Sequence, residues 1–152
     1  MTHRPSLAEP AFPEDDGTAD AALAAAFGDE ARVLAVLGDV RVFVPVVALL
    51  GDEPAGSDKE ADMAAVLMTG ADGRNALLAF SSVASMATWD PDARPVPVWG
   101  REAARAALDE GASAMLLDLA GPTFTVVETV DVEHLAAGHR LVSTEAGPAW
   151  VA

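Results

Sequence analysis

Hydrophobic positions along this chain change period several times, and each change marks an element. Ala22, Leu23, Ala26 and Phe27 recur at helical spacing, with Thr18 or Asp20 placed to cap them and Gly28 to stop them. A second helical stretch starts near Asp29, where Ala31, Leu34, Ala35 and Leu37 share a face that Gly38 closes. From residue 40 to 50 the period becomes two. Val40, Val42, Val44, Val46, Ala48 and Leu50 fall on one face, and Arg41, Phe43, Pro45, Val47 and Leu49 fall on the other. Both faces are mostly apolar, which predicts a strand covered on two sides. Pro45 has no N–H for a ladder and predicts an edge position or a bulge. A polar loop over residues 51–60 follows.

Two short apolar runs, 63–69 and 75–80, are joined by Gly70-Ala71-Asp72-Gly73-Arg74, and the Asp-Gly pair between them predicts a hairpin. Ser81 or Ser82 then caps a short helix in which Val83, Met86 and Ala87 are expected to face inward. It ends at Trp89-Asp90-Pro91, because proline cannot continue it. Residues 96–98 read as a brief strand. The alanine-dense stretch 101–110 predicts the best-formed helix, with Ala104, Ala107 and Leu108 as its stripe and Gly111 as its stop. Residues 115–119 and 124–127 are further strands, turned by Gly121-Pro122. A last helix takes Asp131 as cap, with Val130 and Leu135 as a hydrophobic staple. The sum is an α+β fold: a single domain with one mixed sheet of about five strands and short helices packed on it. Residues 1–17, rich in proline and acid, are expected to be a flexible lead-in, 18–137 the folded unit, and 138–152 a weakly specified tail.

Composition narrows this picture. A chain of 152 residues fits one domain, and 51% hydrophobic content supports a substantial core. Aromatics are only 5%, so that core must come from Ala, Val, Leu and Met. The absence of cysteine rules out disulfides and thiolate chemistry and fits a reducing compartment. The net charge of -15, with Lys59 as the single lysine, disfavours nucleic acid and anionic lipid as partners, because both are bound through clustered cations. Only Arg101 and Arg105 stand one helical turn apart. The acidity reads as solubility rather than as a lure for a basic partner. No apolar run approaches the roughly 18 residues of a membrane span. Met1-Thr2-His3-Arg4-Pro5 lacks the apolar core of a secretion signal, so a cytoplasmic location is expected.

Candidate chemistry is sparse. Gly51 and Gly56 have P-loop spacing, but Ser57 stands where the phosphate-binding lysine belongs, and Asp52 and Glu53 would repel a polyphosphate. Gly111-Ala112-Ser113-Ala114-Met115 lacks the second glycine of a nucleophile elbow and runs from helix into strand, the reverse of an elbow. Ser81-Ser82 lies at a strand-to-helix junction, nearer to elbow geometry. Catalysis there needs a base within hydrogen-bond reach, and spacing puts neither His134 nor His139 beside it, so capping outweighs catalysis. His134 and His139 are five apart, a spacing that neither a helix face nor a strand face aligns, and no metal site is expected. Trp89, Trp99 and Trp150 are the large anchors; core packing is their ordinary role, and Trp89 is the one expected partly at the surface.

In order, Arg41-Val42-Phe43-Val44-Pro45-Val46-Val47, the Asp72-Gly73 hairpin, and Leu78-Ala79-Phe80-Ser81-Ser82 leading to Trp89 resemble the N-terminal domain of the SseB family. A Phe-Thr/Ser-Ser step after a strand, and a tryptophan ending the next short helix, are typical of that family. Leu116-Leu117-Asp118-Leu119-Ala120-Gly121-Pro122 looks like its apolar strand followed by a proline turn. The likeness covers about residues 18–135 and rests on structural motifs. It implies no settled activity, cofactor or catalytic residue. Longer members carry a C-terminal domain, whose role does not transfer to a chain expected to end after one domain.

The leading expectation is therefore a non-enzymatic cytoplasmic binding or regulatory module with an unknown protein partner and no cofactor. Trp89 would anchor its contact surface, rimmed by Ser81, Ser82 and Arg101. The alternative is a small-molecule (amino acid or nucleotide) binder or weak hydrolase with a pocket near Ser81 and Ser82, where a helix N-terminus can hold a carboxylate or phosphate. A homodimer is a third alternative, since the apolar strand at 40–50 can leave an edge unpaired.

Overall fold

Two aspartates start the folded chain. In the computed structural model, which describes residues 12, 14–48 and 63–152, Asp20 accepts from the N–H groups of Ala22 (2.9 Å) and Leu23 (3.4 Å) and opens α1 (Ala21–Ala26). Asp29 accepts from the Arg32 N–H at 3.2 Å and opens α2 (Glu30–Leu37). Gly28, at φ +93°, makes the reversal between them, a conformation that costs glycine little. The loop 51–60, its P-loop-like spacing, Leu49 and Leu50, and residues 1–11 lie outside the described residues.

Next comes β1 (Arg41–Ala48), then β2 (Met63–Ala65), β3 (Leu67–Thr69) and β4 (Asn75–Ala79), with the Asp72-Gly73 turn joining the last two as expected. Downstream lie α3 (Val83–Trp89), β5 (Arg94–Trp99), α4 (Gly100–Asp109), β6 (Ala114–Leu117), β7 (Thr125–Val127), α5 (Thr129–Ala136), β8 (Arg140–Thr144) and β9 (Gly147–Val151). The α+β class holds. The strands among the described residues divide into a three-stranded sheet in the order β2-β1-β5, a four-stranded sheet in the order β3-β4-β6-β7, and the β8-β9 hairpin. The four-stranded sheet is mixed, because β4 and β6 run parallel across a long crossover.

Val66 stitches the two larger sheets together: its N–H donates to the Pro45 carbonyl at 3.2 Å, and its carbonyl accepts from Leu78 at 3.3 Å. Phe43 and Phe80 add a second seam, exchanging both backbone bonds at 2.7 Å.

Contrary to expectation, Pro45 sits in a central strand without a bulge. The β1–β5 register sets Phe43 opposite Pro97 and Pro45 opposite Pro95. Gly100 donates to Val40 at 2.9 Å, so by the alternation of an antiparallel ladder the even-numbered residues of β1 make the bonds to β5. Pro45 is odd-numbered and its nitrogen faces away from β5. No bond to β5 is lost, and the Val66 carbonyl on the other side takes the Leu78 N–H instead.

One face of the four-stranded sheet buries Leu77, Ala79, Met115, Leu117 and Val127 against all the helices except α3, forming the main core. Ala103, Ala104 and Ala107 let α4 approach closely, while Leu108, expected in that stripe, is 38% exposed. The opposite face carries a smaller core of Phe43, Leu78, Phe80 and Met86. In α3 only Met86 is buried; Val83 and Ala87 turn outward.

Three further expectations are corrected. Asp131 does not cap α5, which begins at Thr129 behind Glu128; the Asp131 carboxylate instead accepts from Trp150 Nε1 at 3.0 Å. Val130 is 61% exposed and staples nothing. Residues 140–151 form a hairpin whose Leu141 and Trp150 pack on the main core, so the stretch 138–152 is not a loose tail. Nor are the described residues of the lead-in free. Phe12 meets Trp99 edge-on at 4.9 Å, and the Gly17 carbonyl accepts from Val83 at 2.9 Å.

Candidate functional site

The turn after β4 is built around a carboxylate that comes from the end of β6. Asp118 is 1% exposed and, at φ +57°, is the one non-glycine residue with positive φ among the described residues. Its Oδ1 accepts from the Ser81 N–H at 2.8 Å, and its Oδ2 from the Ser81 hydroxyl at 2.7 Å and the Thr123 hydroxyl at 2.9 Å. Ser85 Oγ divides its single proton between Asp118 Oδ1 and the Ser82 carbonyl, both at 2.9 Å. A carboxylate offers about four acceptor positions, and donors stand at all of them.

Ser81 is 3% exposed, and its hydroxyl proton is committed to Asp118. Ser82 Oγ accepts from the Ser85 N–H at 3.0 Å and Ser85 Oγ accepts from the Ser82 N–H at 3.2 Å, a reciprocal capping box that starts α3. The two serines thus fasten a strand to a helix. His134 is not among the partners of either hydroxyl.

Behind this turn lies a second polar assembly. Arg41 is 7% exposed and donates through Nε and Nη2 to the two oxygens of Asp15 at 2.6 and 2.7 Å. It also donates to the carbonyls of Ser81, at 2.8 Å, and Thr18, and its guanidinium lies 4.2 Å from the Phe43 ring centroid. The hydrogen bonds from Arg41 hold the Asp15 carboxyl below its ordinary value.

The residues anticipated as one surface separate here. Trp89, half-buried, packs on Phe80 at 5.6 Å and belongs to the smaller core beside Ser81 and Ser82. Arg101 lies on α4 and is engaged elsewhere, with Asp39 at 3.1 Å and the Gly38 carbonyl at 3.4 Å. None of its hydrogen bonds among the described residues reaches the α3 turn.

The face that Trp89 borders is one that sequence patterning did not single out. Met68, Leu116 and Val126 are half-buried on the side opposite the main core, with Ala76 and Ala114 between them. They line a shallow depression of about 170 Å³ whose far rim is the Arg74–Glu128 pair at 3.3 Å. Among the described residues, α3 alone of the helices lies on this side. The signal was present in the hairpin, since Met68 and Leu78 share a face in the period-two pattern.

His134 and His139, expected apart, meet: their Nδ1 atoms are 2.8 Å from each other, so one ring donates and the other accepts. Gly138 at φ +80° reverses the chain after α5, and the His139 N–H returns to the His134 carbonyl at 3.0 Å. Trp150 stacks on the His134 ring at 4.9 Å and 9°. No group of three metal-ligating side chains gathers among the described residues, and no helix among them is long and apolar enough to cross a membrane.

Comparison with known families matches residues 19–134 to the SseB protein N-terminal domain. Neither curated proteins nor solved structures supply a match.

Proposed function

The chain belongs to the SseB family, and on that footing we propose that it is a non-enzymatic cytoplasmic binding or regulatory module that docks a protein partner on the outer face of its four-stranded sheet. The observation that carries this reading is the half-buried row Met68, Leu116 and Val126, with Trp89 at one end and Arg74 and Glu128 at the other. Interfaces favour an apolar centre with a polar rim, and tryptophan is a preferred anchor within them. Asp72 and Glu128 at the rim, on a chain of net charge -15, favour a partner whose apolar strip is edged with Lys or Arg. The small-ligand or hydrolase reading centred on Ser81 and Ser82 has less support, because Ser81 is buried and both hydroxyls are held in internal bonds.

Site-specific photocrosslinking in cells tests the proposal, with the crosslinker at Met68 or Val126 and, as a control, at the exposed Glu102 of α4. The expected result is one protein captured from both sheet positions, absent from the control, and recovered about tenfold less with a folded Trp89→Ala variant. Identical capture from Glu102, or undiminished recovery with Trp89→Ala, overturns the assignment. A crosslinked band at the dimer mass would make a second copy of this chain the occupant.

A further inference from the structure

On the helical side of the molecule, away from the docking face, a cavity of about 370 Å³ opens between the C-terminal ends of α2 and α5 and the first turn of α4. Arg101, His139 and Arg140 line it, together with Asp39 and the apolar Leu34 and Leu135. Such a gathering of cationic and basic side chains is conspicuous in a chain with nine Lys and Arg residues against 24 acids.

The simplest account is that these side chains neutralise two helix C-termini. The hydrogen bonds fit this account for Arg101, which reaches the Gly38 carbonyl, but not for Arg140. At the end of α2, the Val36 carbonyl accepts from Gly38 and from Asp39, and the Gly38 carbonyl from the Arg101 N–H at 3.2 Å. At the end of α5, the Leu135 carbonyl accepts from Ala137 and Gly138, the Ala136 carbonyl from Arg105 at 3.1 Å, and the His134 carbonyl from His139. None of these bonds uses Arg140, whose side chain makes no hydrogen bond or ion pair among the described residues. Arg101 spends only Nη1, on Gly38 and on an Asp39 whose side chain is 65% exposed. An exposed pair of that kind is weak and readily exchanged.

We propose that this cavity binds a small oxyanion, a phosphate or a carboxylate carried by a compact molecule. Arg101 and Arg140 supply the charge, His139 an additional ring-nitrogen hydrogen bond, and Leu34 and Leu135 an apolar wall. Guanidinium groups match planar or tetrahedral oxyanions through paired donors, and the volume suits a small ligand. The incoming anion takes the place of Asp39 on Arg101.

Isothermal titration of the full chain with inorganic phosphate, and separately with citrate, tests this when ionic strength is balanced with potassium chloride. The expected result is saturable binding of at least one of them at a single site, weakened about tenfold by Arg140→Gln or by Arg101→Gln and unchanged by Arg94→Gln, which alters the same net charge elsewhere. Phosphate alone would point to a phosphorylated ligand, and citrate alone to a carboxylate. No saturable binding of either at millimolar concentration, or equal weakening by Arg94→Gln, overturns the proposal.

Discussion

Ser81 and Asp118 are joined twice, backbone N–H to one carboxylate oxygen at 2.8 Å and hydroxyl to the other at 2.7 Å. This places the end of β4 and the end of β6 in a fixed relation and orients the first turn of α3 above them. The pair is a brace across the parallel strands.

Removing that brace should be costly. Asp118→Ala leaves the donors of Ser81 and Thr123 without their buried acceptor and puts a less tolerant residue at positive φ. We expect a loss of roughly 3 kcal/mol or more in denaturant unfolding. Asp118→Asn keeps an acceptor oxygen and tolerates the backbone conformation, so it should lose less. Equal losses for the two variants would show that backbone conformation and hydrogen bonding contribute nothing separable here.

Acid should act through Asp15. Its folded value is depressed by Arg41 below 3.8, so the fold favours the charged form. The resulting stabilisation is complete above the ordinary carboxylate range and drains away as pH falls through it to the lower folded value. The stability gap between wild type and Asp15→Asn should therefore be widest near neutrality and shrink below about pH 4. A gap constant across that range in urea titrations would remove the ion pair as its source.

Gly100 reverses the usual helix rule. Alanine in place of glycine inside a helix commonly gains about 1 kcal/mol. At Gly100, however, a Cβ would lie 1.7 Å from the Leu37 carbonyl oxygen. Gly100→Ala should destabilise by roughly 2 kcal/mol or more as α4 is pushed off the end of α2. A melting temperature equal to or above that of wild type would contradict the close approach.

Trp150 ties the C-terminal hairpin to α5. Trp150→Ala removes both the stack on His134 and the bond to Asp131, for an expected loss of about 2–3 kcal/mol. Trp150→Phe preserves the stack and should recover most of it. Thermal unfolding of the two variants side by side measures the difference.

What the sequence made legible follows from range. Asp20, Asp29 and Gly28 act within a few positions of themselves, and their roles were readable from spacing. The Asp72-Gly73 hairpin was readable for the same reason. Asp118 stands out in an apolar run, yet its partners Ser81, Ser85 and Thr123 lie 37, 33 and 5 positions away. No local pattern announces such a convergence. The His134–His139 contact hinged on Gly138 turning the chain back, which helix and strand periodicities do not contain. Residues 138–152 carry only Leu141, Val142, Trp150 and Val151 as large apolar side chains, and the hairpin there depends on Leu141 and Trp150 finding a core already formed. Arg101 lies at the α2 end rather than beside Ser81, through bonds to residues 62 and 63 positions away that no local pattern carries.

The prolines of β5 have an effect outside their own sheet. Since Pro95 and Pro97 stand opposite the odd-numbered residues of β1, their nitrogens lie along the outer rim of β5, where a further strand would seek donors. That rim offers carbonyls with two N–H groups missing. Growth of the three-stranded sheet by lateral addition, whether into fibrils or into a paired copy, is thereby discouraged on that flank.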